Sequence, residues 1–473
     1  MRSQQGCKKN TKNLGGNVAA NPVDDIVDES GSEERSGYLT GRYWGYSVGL
    51  LTLVYAFNFV DRQIVNILAE YIKRDLGLRD WQLGVLTGFS FALVYGLVGI
   101  PVARLAERRH RPLIIAISAG VWSIFTAVCG FAGTFTQLAI ARFGVGLGEA
   151  GATPASHSLI VNYTPPEKRG RALSLYQTGV PLGGLIGMAL GGIVADLYGW
   201  RAAFFIAGAP GIIIAVVVAL TLVEPRKTAP QAARPQASFK RDAAFLLAKR
   251  AFPLFAVGGS LIALRGYGTQ AFIASFFFRI HGGEIQAYAD RINQAFGTHL
   301  GQAGLIGIFL GLLGGIASIL GTIIGGFLMD HWSRKNVRHL SAVTAIPQLI
   351  AAPFLVVGLL WHGALGAFIL MTLPTFFSAM SIGPVWAGIQ SLATPATRAT
   401  ATAVAALATA FIGLGLGPLL VGVISDLLAA AGLTTGDSLR WALIAAETPA
   451  LVGAAMMWAA RGHLEREVET ARA

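Results

Sequence analysis

The segment VYAFNFVDRQIVNILAEYI, residues 54–72, places a carboxylate and a guanidinium, Asp61 and Arg62, in the middle of an apolar run. A second apolar run carries Arg142 and, seven residues later, Glu149, which project from the same face of a helix. Charges inside a membrane normally pair with one another or line an aqueous cavity. These four residues could therefore titrate and hold anions, or they could form a static ion pair that only fixes helix packing.

The elements around these charges are those of a membrane protein. Of the 473 residues, 53% are hydrophobic and only 13% are charged, against about a quarter charged in soluble domains. Twelve stretches are long enough to cross a hydrocarbon core of ~30 Å, and lipid requires such segments to be helices. The predicted spans are 43–70, 80–103, 112–133, 135–162, 170–195, 202–223, 251–279, 301–330, 338–360, 364–392, 398–429 and 440–460.

The distribution of Lys and Arg predicts the orientation. With the N-terminus inside, the cytoplasmic loops and C-terminal tail hold 21 of these residues and the outer loops hold 7, so both termini are predicted to be cytoplasmic. In this topology Asp61 and Glu149 both lie near ~20 Å from the cytoplasmic surface, at ~1.5 Å per residue. The two carboxylates can therefore meet at one depth.

The two halves of the chain repeat each other. PPEKRGRALS before the fifth span matches TPATRATATA before the eleventh, and Asp196 is repeated 230 residues later as Asp426. We predict two six-helix bundles joined by a linker rich in Pro, Ala and basic residues. The predicted divisions are a disordered tail at 1–42, a first bundle at 43–223, a linker at 224–250, a second bundle at 251–460 and a tail at 461–473.

At these repeats the chain resembles the major facilitator superfamily. The loops after spans two and eight, ARLAERRHRPL and GFLMDHWSRKNV, are similar to the loop motif of that family. The resemblance implies a twelve-helix facilitator fold in which these loops take part in gating, and a basic loop that only sets topology is the alternative. The loop residues are Glu107, Arg108, Arg111, Asp330, Arg334 and Lys335.

Glycines recur every four residues on the fifth and eighth spans, where small residues let helices approach closely in lipid. Facilitator folds pack these two helices between the halves, so the glycines are expected to form a sliding seam or an ordinary tight contact. GVPLGG at 179–184 also resembles the antiporter motif of the superfamily. The seam glycines are Gly179, Gly183, Gly187 and Gly191 on span five, and Gly311 and Gly315 on span eight.

Within the superfamily, NFVDRQ, RFGVGLGEAG and TPPEKRGRALS resemble the Spinster family of lysolipid and sphingolipid transporters. This resemblance implies that Asp61 and Glu149 bind protons. It also implies that Arg62 and Arg142 pair with these carboxylates and meet the phosphate of the substrate.

The second half is predicted to add Arg265 and apolar surface for a lipid chain, from Phe276, Phe277 and Trp386. Aromatic residues in spans also commonly face lipid or neighbouring helices. The helix-patterned outer segment at 282–300 is expected either to cap the outer mouth or to lie at the interface.

These observations predict a multi-pass integral membrane protein, in the inner membrane if bacterial, that moves a lysophospholipid- or sphingosine-1-phosphate-like anion with protons and works as a monomer. A phosphate-binding GxxxxGK[ST] loop is absent from the sequence, so we expect no ATP hydrolysis. No enzyme activity is expected. No cofactor, metal or nucleic acid is expected. The alternatives are a proton-coupled drug or organic-anion antiporter and a non-transporting receptor or scaffold.

Overall fold

The computed structural model describes residues 41–472, except 95, 97, 100, 102–108, 226–238, 334–335 and 395. Residues 1–40 of the predicted N-terminal tail and residues 226–238 of the predicted linker lie outside the described residues. The same is true of the loop residues Glu107, Arg108, Arg334 and Lys335.

The described residues of the first half are mainly helical, with short turns between the helices. Arg111 and Pro112 open the third span, with His110 as its cap, and Thr134 caps the fourth. The fifth and sixth spans form one continuous element that turns at Gly199, whose φ of 84° lies in the region that favours glycine. The helices are α1 (Gly41–Leu76), α2 (Asp80–Gly84), α3 (Arg111–Cys129), α4 (Phe135–Glu149), α5 (Ala152–Tyr163), α6 (Arg169–Gln177) and α7 (Gly179–Thr221).

The second half follows the same pattern after a short helix. Its spans begin with α9 and end with α17, which continues past the predicted boundary at 460 as far as Arg472. The helices are α8 (Phe239–Ala248), α9 (Ala251–Ile280), α10 (Gly282–Phe296), α11 (Gln302–Ser333), α12 (His339–Leu360), α13 (Ala364–Ser391), α14 (Arg398–Ala408), α15 (Gly417–Ala430), α16 (Thr435–Ala445) and α17 (Glu447–Arg472).

The predicted all-α fold of twelve spans in two halves is confirmed. By length and hydropathy alone, nine helical stretches among the described residues can cross a membrane. One of them, 166–221, contains both span five and span six. Span two is interrupted by undescribed residues and span four is divided between α4 and α5, so neither is counted as one long helix.

Four spans depart from regular α-helix near the centre of the molecule. Spans two and eleven contain π-helical segments, Val85–Phe89 and Thr409–Leu416. Span four is interrupted just after Glu149, and span twelve is interrupted just before Glu447. Such irregularities inside spans concentrate at functional sites because they redirect side chains and free backbone groups.

The glycine ladder of span five packs against α1, which corrects the prediction that it packs against span eight. Gly179, Gly183 and Gly187 lie against the backbone of α1, where an added methyl group on Gly183 would overlap the carbonyl oxygen of Ala56. Gly191 lies against Ile64. Spacing alone cannot show which of two neighbouring helices a four-residue repeat packs against. Because the ladder packs against α1, it fixes span five to its own half.

The contact between the halves uses another face of α7. A methyl group on Gly192 would overlap the carbonyl oxygen of Ala303, and one on Gly307 would overlap the carbonyl oxygen of Met188. Gly311 also lies against α7, at Leu185, whereas a methyl group on Gly315 would meet no neighbouring element within 4 Å among the described residues. The close approach of span five and α11 is therefore concentrated toward the outer end of each span.

Replacing Gly192 with alanine is expected to push the outer ends of span five and α11 apart. Overpacking of this kind costs about 1–3 kcal/mol, which here penalises the conformation with close outer ends. Distances between spin labels at Phe131 and Phe296, both 77% exposed and on opposite halves, would lengthen. Gly184→Ala is the matched control because nothing lies within 4 Å of a methyl group there. Equal distance distributions in the two variants would contradict the tight-contact assignment.

The outer helix α10 packs on the second half, with Ile285 and Ala289 buried beneath it. Glu284 accepts hydrogen bonds from the Tyr288 hydroxyl at 2.5 Å and from the backbone N–H of Ala364 at 2.7 Å. The Tyr288 bond, followed by the Ala364 bond, lowers the pKa of Glu284. A lowered carboxyl pKa stabilises the fold above the ordinary carboxyl range, and this contribution is lost as pH falls through the lowered value.

Candidate transport site and outer closure

Arg62 and Glu149 form the ion pair at the centre of the first half. The guanidinium Nε of Arg62 donates to the Glu149 carboxylate at 2.8 Å. Glu149 is fully buried, whereas the Arg62 side chain is 22% exposed, and its guanidinium lies over the ring of Phe91 at 4.4 Å. Arg62 therefore connects a buried carboxylate to a more accessible surface.

Asp61 and Arg142 are also buried, at 2% and 1% exposed, but the structure does not pair them as predicted. The Arg142 guanidinium donates to two backbone carbonyls, that of Leu86 at 3.3 Å and that of Asp61 at 3.5 Å. Among the described residues, the Oδ1 atom of Asp61 has no hydrogen-bond partner. The sequence predicted that these groups gather at one place, but it could not predict which arginine takes which acceptor.

A central cavity lies between the halves, and its volume of about 440 Å³ includes open solvent. Polar and apolar side chains line it together, with Arg62 and Arg142 on the side of the first half. The remaining lining residues are Phe59, Gln63, Asn66, Thr87, Phe91, Tyr267, Gln270, Ala271, Leu414 and Pro418.

The lining contains amides that the sequence analysis did not single out. Asn66 donates to Gln63 at 2.9 Å, and both are almost fully buried on α1. Gln270 faces them from α9. The sequence could have revealed these amides, because they lie one to two turns from an intramembrane charge. Burying an amide without a hydrogen-bond partner is costly, so amides inside spans tend to occupy functional positions.

Four residues predicted to contact substrate lie away from this lining. Phe276 and Phe277 are fully buried in the second half, where Phe277 stacks on Phe368 with ring centroids 3.8 Å apart. Trp386 packs against the hydrophobic core of that half. Arg265 is directed to residues of its own half, Gln348 and Ser378. The aromatic residues follow the alternative already noted for spans, packing against neighbouring helices.

Arg279, at the outer end of α9, joins the two halves. Its Nη1 and Nη2 atoms donate to both carboxylate oxygens of Asp80, at 2.8 and 2.7 Å, and its Nε donates to Glu70 at 3.0 Å. Bidentate pairing of this kind is the strongest form of an arginine–carboxylate contact. Lys73 and Ser425 also donate to Asp80. The outer ends of spans one, two and seven are therefore held together.

Two carboxylates cross between the halves to cap helices. Asp196 at the end of span five accepts from the backbone N–H groups of Ala303 and Gly304, at 3.2 and 2.7 Å, where span eight begins. Asp426 in span eleven accepts from the N–H groups of Asp80 and Trp81, at 3.1 and 2.8 Å, where span two begins. Carboxylates stabilise helix N-termini by satisfying free N–H groups. These repeated aspartates close the outer side of the molecule.

Among the predicted gating-loop residues, Arg111 and Asp330 are described. Arg111 is fully buried and ion-paired to Glu224 at the end of span six, and it also donates to Ser158 of span four at 3.0 Å. Asp330 is exposed near the inner end of α11. The Arg111 contacts stay within the first half and stabilise its inner end.

Two six-helix halves, a charged central cavity and a closed outer side together define a secondary transporter. The model of the Major Facilitator Superfamily matches residues 51–418. The chain therefore belongs to the major facilitator superfamily, as predicted, and it is a multi-pass membrane transporter rather than an enzyme.

Individual relatives support and refine this assignment. The chain is 32% identical to an MFS-type efflux pump of Mycolicibacterium smegmatis, over 90% of this chain and 94% of that one. It is 24% identical to the protein spinster of Drosophila melanogaster, over 82% of this chain and 62% of that one. A solved bacterial homologue of the human lysosomal transporter Spinster, inward-facing and unoccupied, superposes with a TM-score of 0.78 at 28% identity, covering 90% of this chain and 99% of that chain. The predicted Spinster resemblance is confirmed.

Proposed function

We propose that the protein is a proton-coupled transporter of an amphiphilic anion, of the lysophospholipid or sphingosine-1-phosphate class, that works by alternating access. The observation that carries the proposal is the position of Arg62, which binds the buried Glu149 and also lines the central cavity. One guanidinium can therefore serve either the carboxylate or an anionic substrate.

Competition for Arg62 gives a coupling mechanism. When Glu149 is ionised it holds the guanidinium, and when Glu149 takes up a proton the ion pair weakens and Arg62 can bind a phosphate or carboxylate. Loss of the proton restores the pair and expels the anion. Asp61, which precedes Arg62 in the chain and whose Oδ1 atom has no hydrogen-bond partner among the described residues, is the proposed second proton-binding group of this half.

The lining agrees with an amphiphile. Arg62, Arg142 and the amides can hold a polar head, while Phe91, Leu414 and other apolar residues offer surface to a chain. The second candidate function is efflux of a drug-like or small organic anion, which the similarity to the mycobacterial efflux pump favours. Both candidates use the same arginines and differ in whether the ligand needs an acyl chain.

A thermal-shift screen with three ligands separates the candidates. Lysophosphatidylglycerol is expected to raise the melting temperature, because a ligand that binds only the native state adds RT ln(1 + [L]/Kd) to stability. Monoacylglycerol, which has the chain without the charge, and glucuronate, which has a charge without the chain, are expected to have little effect. Stabilisation by glucuronate alone would contradict the lipid assignment and favour a small organic anion.

Arg62→Gln is expected to remove the lysophosphatidylglycerol shift, because glutamine lacks the charged fork that recognises phosphate. Arg201→Gln is the matched control, since Arg201 is an exposed arginine on the outer surface, paired with Asp75 within the same half. Comparison of the unliganded melting temperatures separates a loss of binding from a loss of folding. An unchanged ligand shift in Arg62→Gln would remove Arg62 from the proposed site.

A further inference from the structure

A polar cluster is buried inside the second half, away from the central cavity. Arg265 on α9 is 4% exposed, and its Nη2 atom donates to the side chains of Gln348 on α12 at 2.7 Å and Ser378 on α13 at 2.5 Å. Glu447, at the start of α17, is 5% exposed, with its Oε1 atom 3.4 Å from the Nε atom of Arg265. Four helices therefore surround one arginine and one carboxylate.

The ion pair between Arg265 and Glu447 is incomplete. Within the part of the chain that the structure describes, neither the Nε atom of Arg265 nor the Oε1 atom of Glu447 has a hydrogen-bond partner. The well-formed bonds of Arg265 go to neutral side chains instead. A buried carboxylate whose oxygen lacks a donor pays a desolvation cost that one cation at 3.4 Å offsets only in part.

Among the described residues, Arg265 is the only charged group that faces Glu447 from the helices packed against α17. Residues 339–397, which include α12 and α13, contain no Asp, Glu, Lys or Arg. The neighbouring groups on these two helices are the neutral Gln348 and Ser378. On α16, Arg440 is paired with Asp437 and bonded to the Leu359 carbonyl instead. The charge state of Glu447 therefore depends on one partner and on its own proton.

The backbone is also interrupted at this carboxyl. Regular helix stops at Ala446 between α16 and α17, and Pro449, which has no N–H, removes a helical hydrogen bond from the following turn. The same arrangement exists at Glu149, where α4 ends. Broken helices at mid-membrane depth are a common setting for coupling-ion sites in transporters.

The two clusters lie at matching depths. Asp61 precedes the outer end of α1 at Leu76 by 15 residues, and Arg265 precedes the outer end of α9 at Ile280 by 15 residues. At ~1.5 Å per residue both lie ~22 Å from the outer ends of their helices. Each half therefore has a buried arginine–carboxylate pair near the centre of the membrane.

We propose that Glu447 is a further proton-binding carboxyl, located in the second half, and that Arg265 is the positioning residue that supplies its counter-charge. Uptake of a proton neutralises Glu447 and leaves Arg265 held by Gln348 and Ser378. Release of the proton restores the ion pair. The inference rests on the proton coupling proposed above, to which it adds a proton-binding site outside the substrate cavity.

The test measures proton binding by the purified full chain without any substrate. Infrared difference spectra between high and low pH report protonated carboxyls through their carbonyl absorption. The measurement uses an Asp61→Asn/Glu149→Gln background, which removes both proposed groups of the first half. We expect a titrating carboxyl band in this background that disappears in Glu447→Gln. Glu469→Gln, at an exposed position on the same helix, is expected to leave the band in place.

A second variant distinguishes a proton-binding role from a structural one. In Arg265→Gln the carboxyl loses its counter-charge, so the midpoint of the band is expected to move to higher pH by about one unit or more. A spectrum identical with and without Glu447 would overturn the proposal, as would a band that does not titrate. Because no substrate is present, these outcomes are independent of whether lysolipids are transported. Failure of the lysolipid assay would therefore leave the assignment of Glu447 to be decided by its own spectra.

Discussion

Asp61→Asn is expected to abolish transport driven by a pH gradient while leaving substrate exchange at equal pH in place. Asparagine preserves the shape of the side chain but cannot release a proton. The structure makes this substitution mild, because the Arg142 guanidinium bonds the backbone carbonyl of Asp61 and not its carboxylate. Removing the charge therefore does not leave an arginine without its partner. Uptake and exchange of labelled lysolipid in proteoliposomes measure the two activities separately.

Asp75→Asn is the control for this experiment, since Asp75 lies on the same helix and forms a half-exposed ion pair with Arg201. Exposed pairs contribute only about 0–1 kcal/mol, so both activities are expected to persist. Full gradient-driven uptake by Asp61→Asn would show that this carboxyl carries no obligatory proton. The proton would then have to be assigned to Glu149 or to another group.

Arg279→Met is expected to open the outer side of the protein. The Arg279 side chain is 4% exposed and pairs with both Glu70 and Asp80, so its loss leaves these carboxylates with only Arg74 and Lys73 as ion-pair partners among the described residues. Leaving a buried charge without any partner costs about 3–5 kcal/mol, and the remaining partners reduce that cost here. Since 1.4 kcal/mol is about a tenfold change in an equilibrium, we expect the balance to shift toward outward-open molecules by about tenfold or more. The spin-label distance between positions 131 and 296 measures this opening.

Arg440→Met provides the comparison for Arg279, because Arg440 is also an outer arginine of the second half but bonds only within that half, to Asp437 and the Leu359 carbonyl. Its distance distribution is expected to match that of the unmodified protein. If Arg279→Met also retains the closed distribution, the crossed caps at Asp196 and Asp426 would be sufficient to hold the outer side. Addition of Asp426→Asn to Arg279→Met would then test that explanation directly.

The fold was largely predictable from the sequence because lipid restricts the possible backbone structures. Apolar length predicted the spans, basic residues predicted the orientation, and the repeat of Asp196 as Asp426 indicated two equivalent halves. The burial of Asp61 and Glu149 followed from the cost of exposing charge to lipid. These inferences depend on the composition of the chain and on the lengths of its apolar segments, both of which can be read directly from the sequence.

Contacts between particular side chains were less predictable. The partner of Arg62 is Glu149, but the sequence also allowed Arg142, seven residues before Glu149 on the same helix face, to pair with that carboxylate. The ladder containing Gly183 was assigned to the wrong neighbour, because small residues permit close approach without specifying which helix approaches. Arg279 looked like an ordinary outer-loop cation, since its partners Glu70 and Asp80 are about 200 residues away in the chain. Tertiary geometry decides such pairings.

The crossed caps of Asp196 and Asp426 restrict how the protein can be recombined with its relatives. Each half caps the N-terminus of a helix in the other half, so neither half contains all the hydrogen-bond acceptors that its own helix N-termini require. A chimera that joins this first half to the second half of another transporter must therefore receive an acidic residue where Asp426 lies, and it must present free N–H groups where Ala303 and Gly304 lie. Exchange of halves between transporters is thus constrained by the two crossed caps. A recombination library can keep these caps fixed while the residues of the cavity are varied.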